Sequence, residues 1–405
     1  MTKIKTSGMS KQRLLRIDDH INRNYLDTEK LTGALTAIYR KGRLAHYSTL
    51  GLMDREQNKP VLWDSIYRIY SMTKPITSVA LMMLYERGLF QLDDPVAEYI
   101  PEFKNLEVYV SGQLGSFKTK KPHRPMTIND LLSHQSGLTY DFSYRTEVDA
   151  AYRKKGVGRR SQNSLKELIG SLSSLPLEFS PGEKWNYSIS TDVCGYLVEV
   201  LSGNALDKFF RENVFDPLGM VDTGFYVNED KIHRLSANYL FHAGGPPRLI
   251  EDMQEDENTA LPGFLSGGGG LMSTAEDYLA FCRLILGKGT FNSEQLLSRK
   301  TIELMSSNHL EGGSRLSDVA YGRWSESTFK GTGFGLGFSV LIDPSLSQIP
   351  GSPGELAWGG MASTAFWIDP LEDLAVVFMT QLVPSGTHVS LRWDLRTLVN
   401  QAILD

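Results

Sequence analysis

The chain has 405 residues, 41% hydrophobic and 22% charged, with 37 Gly and 17 Pro, which suits a globular protein of two domains or one large core with an inserted lobe. Its formal net charge of -5 gives no general attraction to nucleic acid or to an anionic membrane, and neither is expected as a partner. Cys194 and Cys282 lie too far apart for a C-x-x-C pair or a zinc knuckle, so reduced cysteines in an intracellular protein are expected.

The amino-terminal "MTKIKTSGMSKQRLLRIDDH" has basic residues but no apolar run of signal-peptide length. "SVALMML" is far too short for a membrane span, so a soluble cytoplasmic protein is expected. An amphipathic helix is predicted from Met9 to Asp27. The segment Gly33 to Gly51 then reads as a hairpin turning at Lys41-Gly42. "QLDDPVAEYIPEF" and the Pro-rich "TKKPHRPM" read as loops and short helices, with the basic cluster Lys118 to Arg124 on a solvated loop. Helices are predicted at Thr127–Leu132, Leu165–Leu172, Ser190–Leu201, Ala205–Val214 and Ala275–Leu286. Strands are predicted at Gly333 to Asp343, Ser363 to Asp369 and Leu374 to Gln381, the last two joined by the "PLED" turn. Apolar residues at helical spacing from Leu391 to Ile403 close the chain with a helix. If both strand-rich ends build one sheet, the fold is α+β: an antiparallel sheet flanked by helices, from residues 1–75 and 265–405, with a mainly helical lobe at 76–264.

One stretch is in conflict with itself: "YRIYSMTKPITSVALMMLYERG", Tyr67 to Gly88. "SVALMMLYER" is apolar nearly all round, as in a helix buried on every side, and Gly88 ends it as a C′ residue. Pro75 then falls in the first turn, where its missing N–H has no helical partner to lose. That places Ser71 where backbone N–H groups and the positive dipole end converge, with Lys74 on the same face at i+3. A buried ammonium is costly without partners, and activation of a serine nucleophile is a reason to carry one. On the tetrapeptide alone the bland reading, a serine cap followed by a snorkelling lysine, is the better one, because the motif is short. A second S-x-x-K, Ser327 to Lys330, runs into glycine-rich sequence that cannot continue as a helix.

Other nucleophile systems are missing from the sequence. It has no G-x-S-x-G elbow, no H-E-x-x-H and no H-x-E with C-x-x-C, and "GGGG" at Gly267–Gly270 lacks the G-K-[ST] of a P-loop. That glycine run reads as a tight, close-packed turn.

Ser71-Met72-Thr73-Lys74, taken with "LLSHQSGL" (Leu131 to Leu138), "PGEKWNYSISTDVCGYLVE" (Pro181 to Glu199) and "AWGGMASTAFWIDP" (Ala357 to Pro370), resembles the serine β-lactamase and penicillin-binding-protein superfamily. Within its class C-like branch, the resemblance is to the family VIII carboxylesterases. It covers the chain from about Gly33 onward and implies that superfamily's fold. It also implies Ser71 as nucleophile, Lys74 and Tyr187 as base and acid, and the N–H groups of Ser71 and Met361 as the oxyanion hole. Two departures matter. Ile189 stands where class C lactamases carry the amide of Y-x-N, and Trp358-Gly359-Gly360 stands in place of a K-T-G-like motif. Both remove polar recognition of a β-lactam and leave an apolar site. "KGTG", Lys330 to Gly333, is the weaker match for that motif because an extra glycine breaks its spacing. His134 is implied to be a scaffold residue, and Tyr140, Phe142 and Tyr144 read equally as lining of the pocket mouth or as simple packing.

The expected function is a carboxylesterase acting on small-molecule esters with short, fairly apolar acyl groups, needing no metal or organic cofactor. A tyrosine titrating near its usual value of about 10 is a poor base at neutral pH, and an adjacent ammonium favours its phenolate. The alternatives are an acyltransferase to a secondary-metabolite alcohol, a weak β-lactamase, and an acylated binding or sensor module without turnover. The oligomeric state is left open between monomer and homodimer.

Overall fold

The computed structural model describes residues 7–158, 163–250, 256–322 and 330–405. Its main sheet draws strands from both ends of the chain. In chain order these are β1 (Gly33–Arg40), β2 (Arg43–Asp54), β3 (Lys59–Pro60), β4 (Thr332–Phe334), β5 (Ser339–Leu341), β6 (Leu356–Gly359), β7 (Ala365–Asp369) and β8 (Leu374–Met379). The spatial order is β4-β5-β6-β7-β8-β1-β2-β3, antiparallel throughout, with β8 beside β1 joining the late strands to the early hairpin. The helices that matter for the site are α1 (Lys11–Ile21), α2 (Thr73–Glu86), α3 (Ile128–Leu132), α4 (Ser190–Ser202), α5 (Ala275–Leu286) and α6 (Val389–Asn400). The fold is α+β. Among the described residues, no helix is long and apolar enough to cross a membrane.

The sequence of β8, "LAVVFM", is apolar without alternation because both faces of the sheet are covered. Val376 and Phe378 pack with Leu14 and Ile17 of α1 and Leu391 and Leu395 of α6. Ala375, Val377 and Met379 face the other way, into a core shared with α2, α4 and α5. Strand β1 divides likewise, with Ala34 and Ile38 on the first side and Leu35 and Ala37 on the second. Burying these side chains contributes roughly 1.5–3 kcal/mol each for the larger ones.

Helix α2 is buried from Thr73 to Leu84, and Pro75 lies at its third position, where no intrahelical N–H bond is lost. Gly88 follows at φ +72, a left-handed end that only glycine adopts without strain. A short helical turn, Tyr70–Met72, leads into α2 and carries Ser71 just ahead of the helix.

Several elements differ from the sequence expectation. "GFGLGFSVLID" is two strands, β4 and β5, because Gly337 at φ +96 turns the chain back on itself. The amino-terminal helix widens into a broader turn over Asn22–Leu26, and so does the helix at Leu206–Phe210 as it continues to Phe215. Helix α6 ends at Asn400, so Ala402 and Ile403 follow it. Part of the basic cluster is strand rather than loop: Lys118–Lys120 pairs with Val108–Ser111, and Arg124 donates to both carboxylate oxygens of Asp130 at 2.6 and 2.8 Å. Ser327, Thr328 and Phe329 of the second S-x-x-K lie outside the described residues.

Candidate active site

Ser71, Lys74 and Tyr187 meet at one place. The Tyr187 hydroxyl donates to Ser71 Oγ at 2.5 Å, and Lys74 Nζ donates to the same oxygen at 3.3 Å. The two hydroxyl residues are 116 positions apart in sequence. Two elements bring them together: the turn ahead of α2 presents Ser71, and the segment leading into α4 presents Tyr187. Lys74 Nζ also lies 4.6 Å from the centre of the Tyr187 ring and 5.3 Å from that of Tyr140. An ammonium over two aromatic faces, in a side chain 1% exposed, is stabilised where water is scarce.

The glycine run supplies the rest of that stabilisation. Lys74 Nζ donates to the Gly268 carbonyl at 2.5 Å, and Thr77 Oγ1, one turn further along α2, donates to the Gly267 carbonyl at 2.7 Å. The Thr73 hydroxyl accepts from Leu271 N at 3.1 Å. Three successive polar side chains of α2 therefore bind one turn of backbone. Side chains would spoil the approach: a Cβ at Gly267 would lie 2.9 Å from the Thr191 carbonyl, and one at Gly268 2.4 Å from Asp192 Oδ2. The tight turn read from "GGGG" is present, and it also holds the lysine, a role the sequence reading did not give it. The turn is held in its own right, with Asp192 Oδ1 accepting from Ser266 Oγ at 2.6 Å and from Gly268 N at 3.1 Å.

The Trp358-Gly359-Gly360 strand passes beside the serine. A Cβ at Gly360 would sit 2.4 Å from the Ile69 carbonyl, and one at Gly359 would sit 2.5 Å from Arg392. Gly360 thus lets the chain just past β6 close onto the backbone ahead of Ser71, while Gly359 makes room for Arg392 of α6; at both positions the space a side chain would need is filled by protein, not left for substrate. This close approach brings Met361, 38% exposed, next to the serine turn, and among the described residues no acceptor meets the Met361 N–H. Trp358 is buried, with its ring 5.3 Å from those of Tyr187 and Phe334. It backs Tyr187 and fixes the tyrosine plane.

Of the remaining residues singled out in the sequence, Tyr140 stands in the site, tilted against Tyr187 at 5.3 Å and stacked on the exposed Phe142 at 4.5 Å. Tyr144 is 74% exposed with Arg153 over its ring, and no contact to Ser71, Lys74 or Tyr187 is seen among the described residues. Ile189 is 1% exposed and caps the start of α4, facing Gly158 within the helical core. His134 is buried edge-on to Tyr187 at 5.1 Å, with Nδ1 3.3 Å from Ser188 Oγ. Burial, reinforced by the Lys74 charge, holds its imidazole well below the usual value and therefore neutral. Among the described residues, no group of three or more His, Cys, Asp or Glu is placed to hold a metal ion.

The beta-lactamase family model matches residues 19–401. The chain is 31% identical over 390 residues to esterase EstB of Burkholderia gladioli, covering 92% of each chain. It is 30% identical over 338 residues to the acyltransferase calJ of Penicillium decumbens, covering 81% of this chain and 78% of that one. The structure of EstCE1, titled a hydrolase with promiscuous acyltransferase activity, superposes with a TM-score of 0.81 at 26% identity over 97% of this chain and 99% of the other. With its sheet, helical lobe and serine turn in place, the chain belongs to the beta-lactamase family, as a serine hydrolase of the family VIII esterase-like branch of the serine β-lactamase and penicillin-binding-protein fold.

Proposed function

We propose that the protein is a carboxylesterase that cleaves short-chain, fairly apolar acyl esters of small molecules through an acyl-enzyme on Ser71. The observation that carries this reading is the double hydrogen bond to Ser71 Oγ, from the Tyr187 hydroxyl and from Lys74 Nζ. With Tyr187 as phenolate the short bond reverses, Ser71 donates, and its Oγ attacks the ester carbonyl carbon. The ammonium beside the ring favours that phenolate; Lys74 and Tyr187 hold the proton as a coupled pair. The developing oxyanion lies between the N–H groups of Ser71 and Met361. Tyr187 then delivers the proton to the departing alkoxide, and water, activated by the same pair, releases the acid. Apart from the water, every step uses groups of this chain, and none calls for a metal or organic cofactor.

Trp358, where a lactamase carries a cation, argues for a neutral substrate. A second reading has support from calJ, named an acyltransferase, and from EstCE1, titled a hydrolase with promiscuous acyltransferase activity: an alcohol in place of water would resolve the same acyl-enzyme. The test is a panel of p-nitrophenyl esters graded by acyl length, run with and without a competing alcohol, with nitrocefin as the lactam arm. We expect p-nitrophenol release to peak at acetyl to butyryl, to vanish in Ser71→Ala, and to exceed nitrocefin turnover by orders of magnitude. Full ester turnover by Ser71→Ala would remove Ser71 from the chemistry.

A further inference from the structure

Lys74 is held by a carbonyl that has an anchor of its own. Gly268, whose oxygen accepts from Nζ, sits on the turn that closes onto Asp192 Oδ1 through Ser266 Oγ and Gly268 N. The other oxygen, Oδ2, lies over the Gly268 Cα, where an added Cβ would be 2.4 Å from it and 3.0 Å from the Tyr140 hydroxyl. Asp192 is in the first turn of α4, five residues beyond Tyr187, and is 2% exposed. A carboxylate removed from water is costly unless partners replace its hydration. A plain acidic residue at a helix start is stabilised as well at the surface. This one is buried, is joined to the turn that grips the lysine, and is attracted to the lysine's charge.

We propose that Asp192 is a positioning residue for Lys74, fixing the glycine turn so that the Gly268 carbonyl meets Nζ and balancing the ammonium with its own negative charge. The inference rests on the acyl-enzyme reading of Ser71, Lys74 and Tyr187. Burial pushes the Asp192 carboxyl up, while the Ser266 hydroxyl, Lys74 and the Gly268 N–H pull it back toward the carboxylate. The titratable groups around it are Lys74 on α2, Cys194 on α4 and Tyr140 on the segment after α3, with Tyr187 and His134 lying beyond, around Lys74. Loss of one negative charge disfavours an ammonium or imidazolium and favours a phenolate or thiolate, so each of these groups titrates at lower pH. The sign of the effect therefore does not depend on which group carries the limb of the rate profile.

The test is kcat/KM against pH with p-nitrophenyl butyrate for wild type, D192N and S266A, with S71A as the blank and an unfolding midpoint for each. D192N keeps an amide oxygen for the two hydrogen bonds but removes the charge. Its acid limb should move down by about one pH unit, with kcat reduced about tenfold and KM within about twofold. S266A keeps the charge and loosens the turn: its limb should stay in place while kcat falls severalfold. A D192N profile superimposable on wild type overturns the charge role, and S266A with wild-type kcat overturns the role of the turn, also where D192N fails to fold. Ester turnover by S71A would overturn the reading of the site itself, an outcome the Asp192 variants cannot produce.

Discussion

Ser71 and Lys74 could be paired from sequence because residues three apart on a helix are neighbours, and Pro75 and Gly88 marked where that helix begins and ends. Tyr187 could be placed only through resemblance, since nothing local ties residue 187 to residue 71. The hydrogen bond of 2.5 Å between them makes the phenol the direct partner of the serine hydroxyl. Tyr187→Phe keeps the ring against Trp358 and His134 and removes only the oxygen. We expect kcat/KM to fall by about 10²–10⁴ with the unfolding midpoint nearly unchanged, read from steady-state kinetics beside a thermal melt. A loss smaller than about threefold would assign the proton transfer to Lys74 alone. The Gly268 carbonyl and Asp192 were invisible from sequence for a physical reason: a backbone oxygen carries no residue identity, and an aspartate in a first helical turn reads as an ordinary dipole partner.

At the scale of elements, apolar runs such as "LAVVFM" and "SVALMML" were legible because both are buried on every side. The hairpin inside "GFGLGFSVLID" was not, since its turn depends on the backbone of Gly337, and a residue at φ +96 looks in sequence like any other glycine. Helix α5 shows a different dependence. Thr274 caps it by accepting from Asp277 N, and the Asp277 carboxylate reaches out of the helix to Asp222 N and the Thr223 hydroxyl, both at 2.8 Å. Burial outweighs these bonds and raises its carboxyl to about 6. A carboxyl raised in the folded state holds its proton longer there than in the unfolded chain, so it costs stability as pH rises from about 4 to beyond 6. A shift of about two units corresponds to about 3 kcal/mol at pH 8, as an upper figure. Asp277→Asn cannot ionise, so its melting temperature relative to wild type should rise between pH 4.5 and pH 8. An equal difference at both pH values would show that Asp277 ionises as freely in the fold as out of it.

For the whole molecule, the central fact is that Ser71 and Tyr187 come from parts of the chain that meet only in the finished fold. The sheet closes by pairing β8 with β1, and Arg40 at the end of β1 is buried between Glu372 and Asp405, bonded at 2.6 and 2.7 Å. That closure puts the Trp358-Gly359-Gly360 strand against the backbone ahead of Ser71, while the segment leading into α4 brings Tyr187 to the serine and the glycine turn at Gly267–Gly270 closes on α2. The expectation of one sheet built from both chain ends could be drawn from the order of strand-like and helical segments. The closeness of β6 to Ile69 could not, because it depends on what occupies the volume a glycine leaves open.

The most direct test of the account is covalent. The native protein is treated with a fluorophosphonate, and separately with a slowly hydrolysed p-nitrophenyl ester, and then examined by intact mass and peptide mapping. We expect one adduct per chain, located on Ser71 within the peptide that carries Lys74, and its loss in Ser71→Ala. Modification at a different residue, or none in a preparation that still turns over ester, would contradict it.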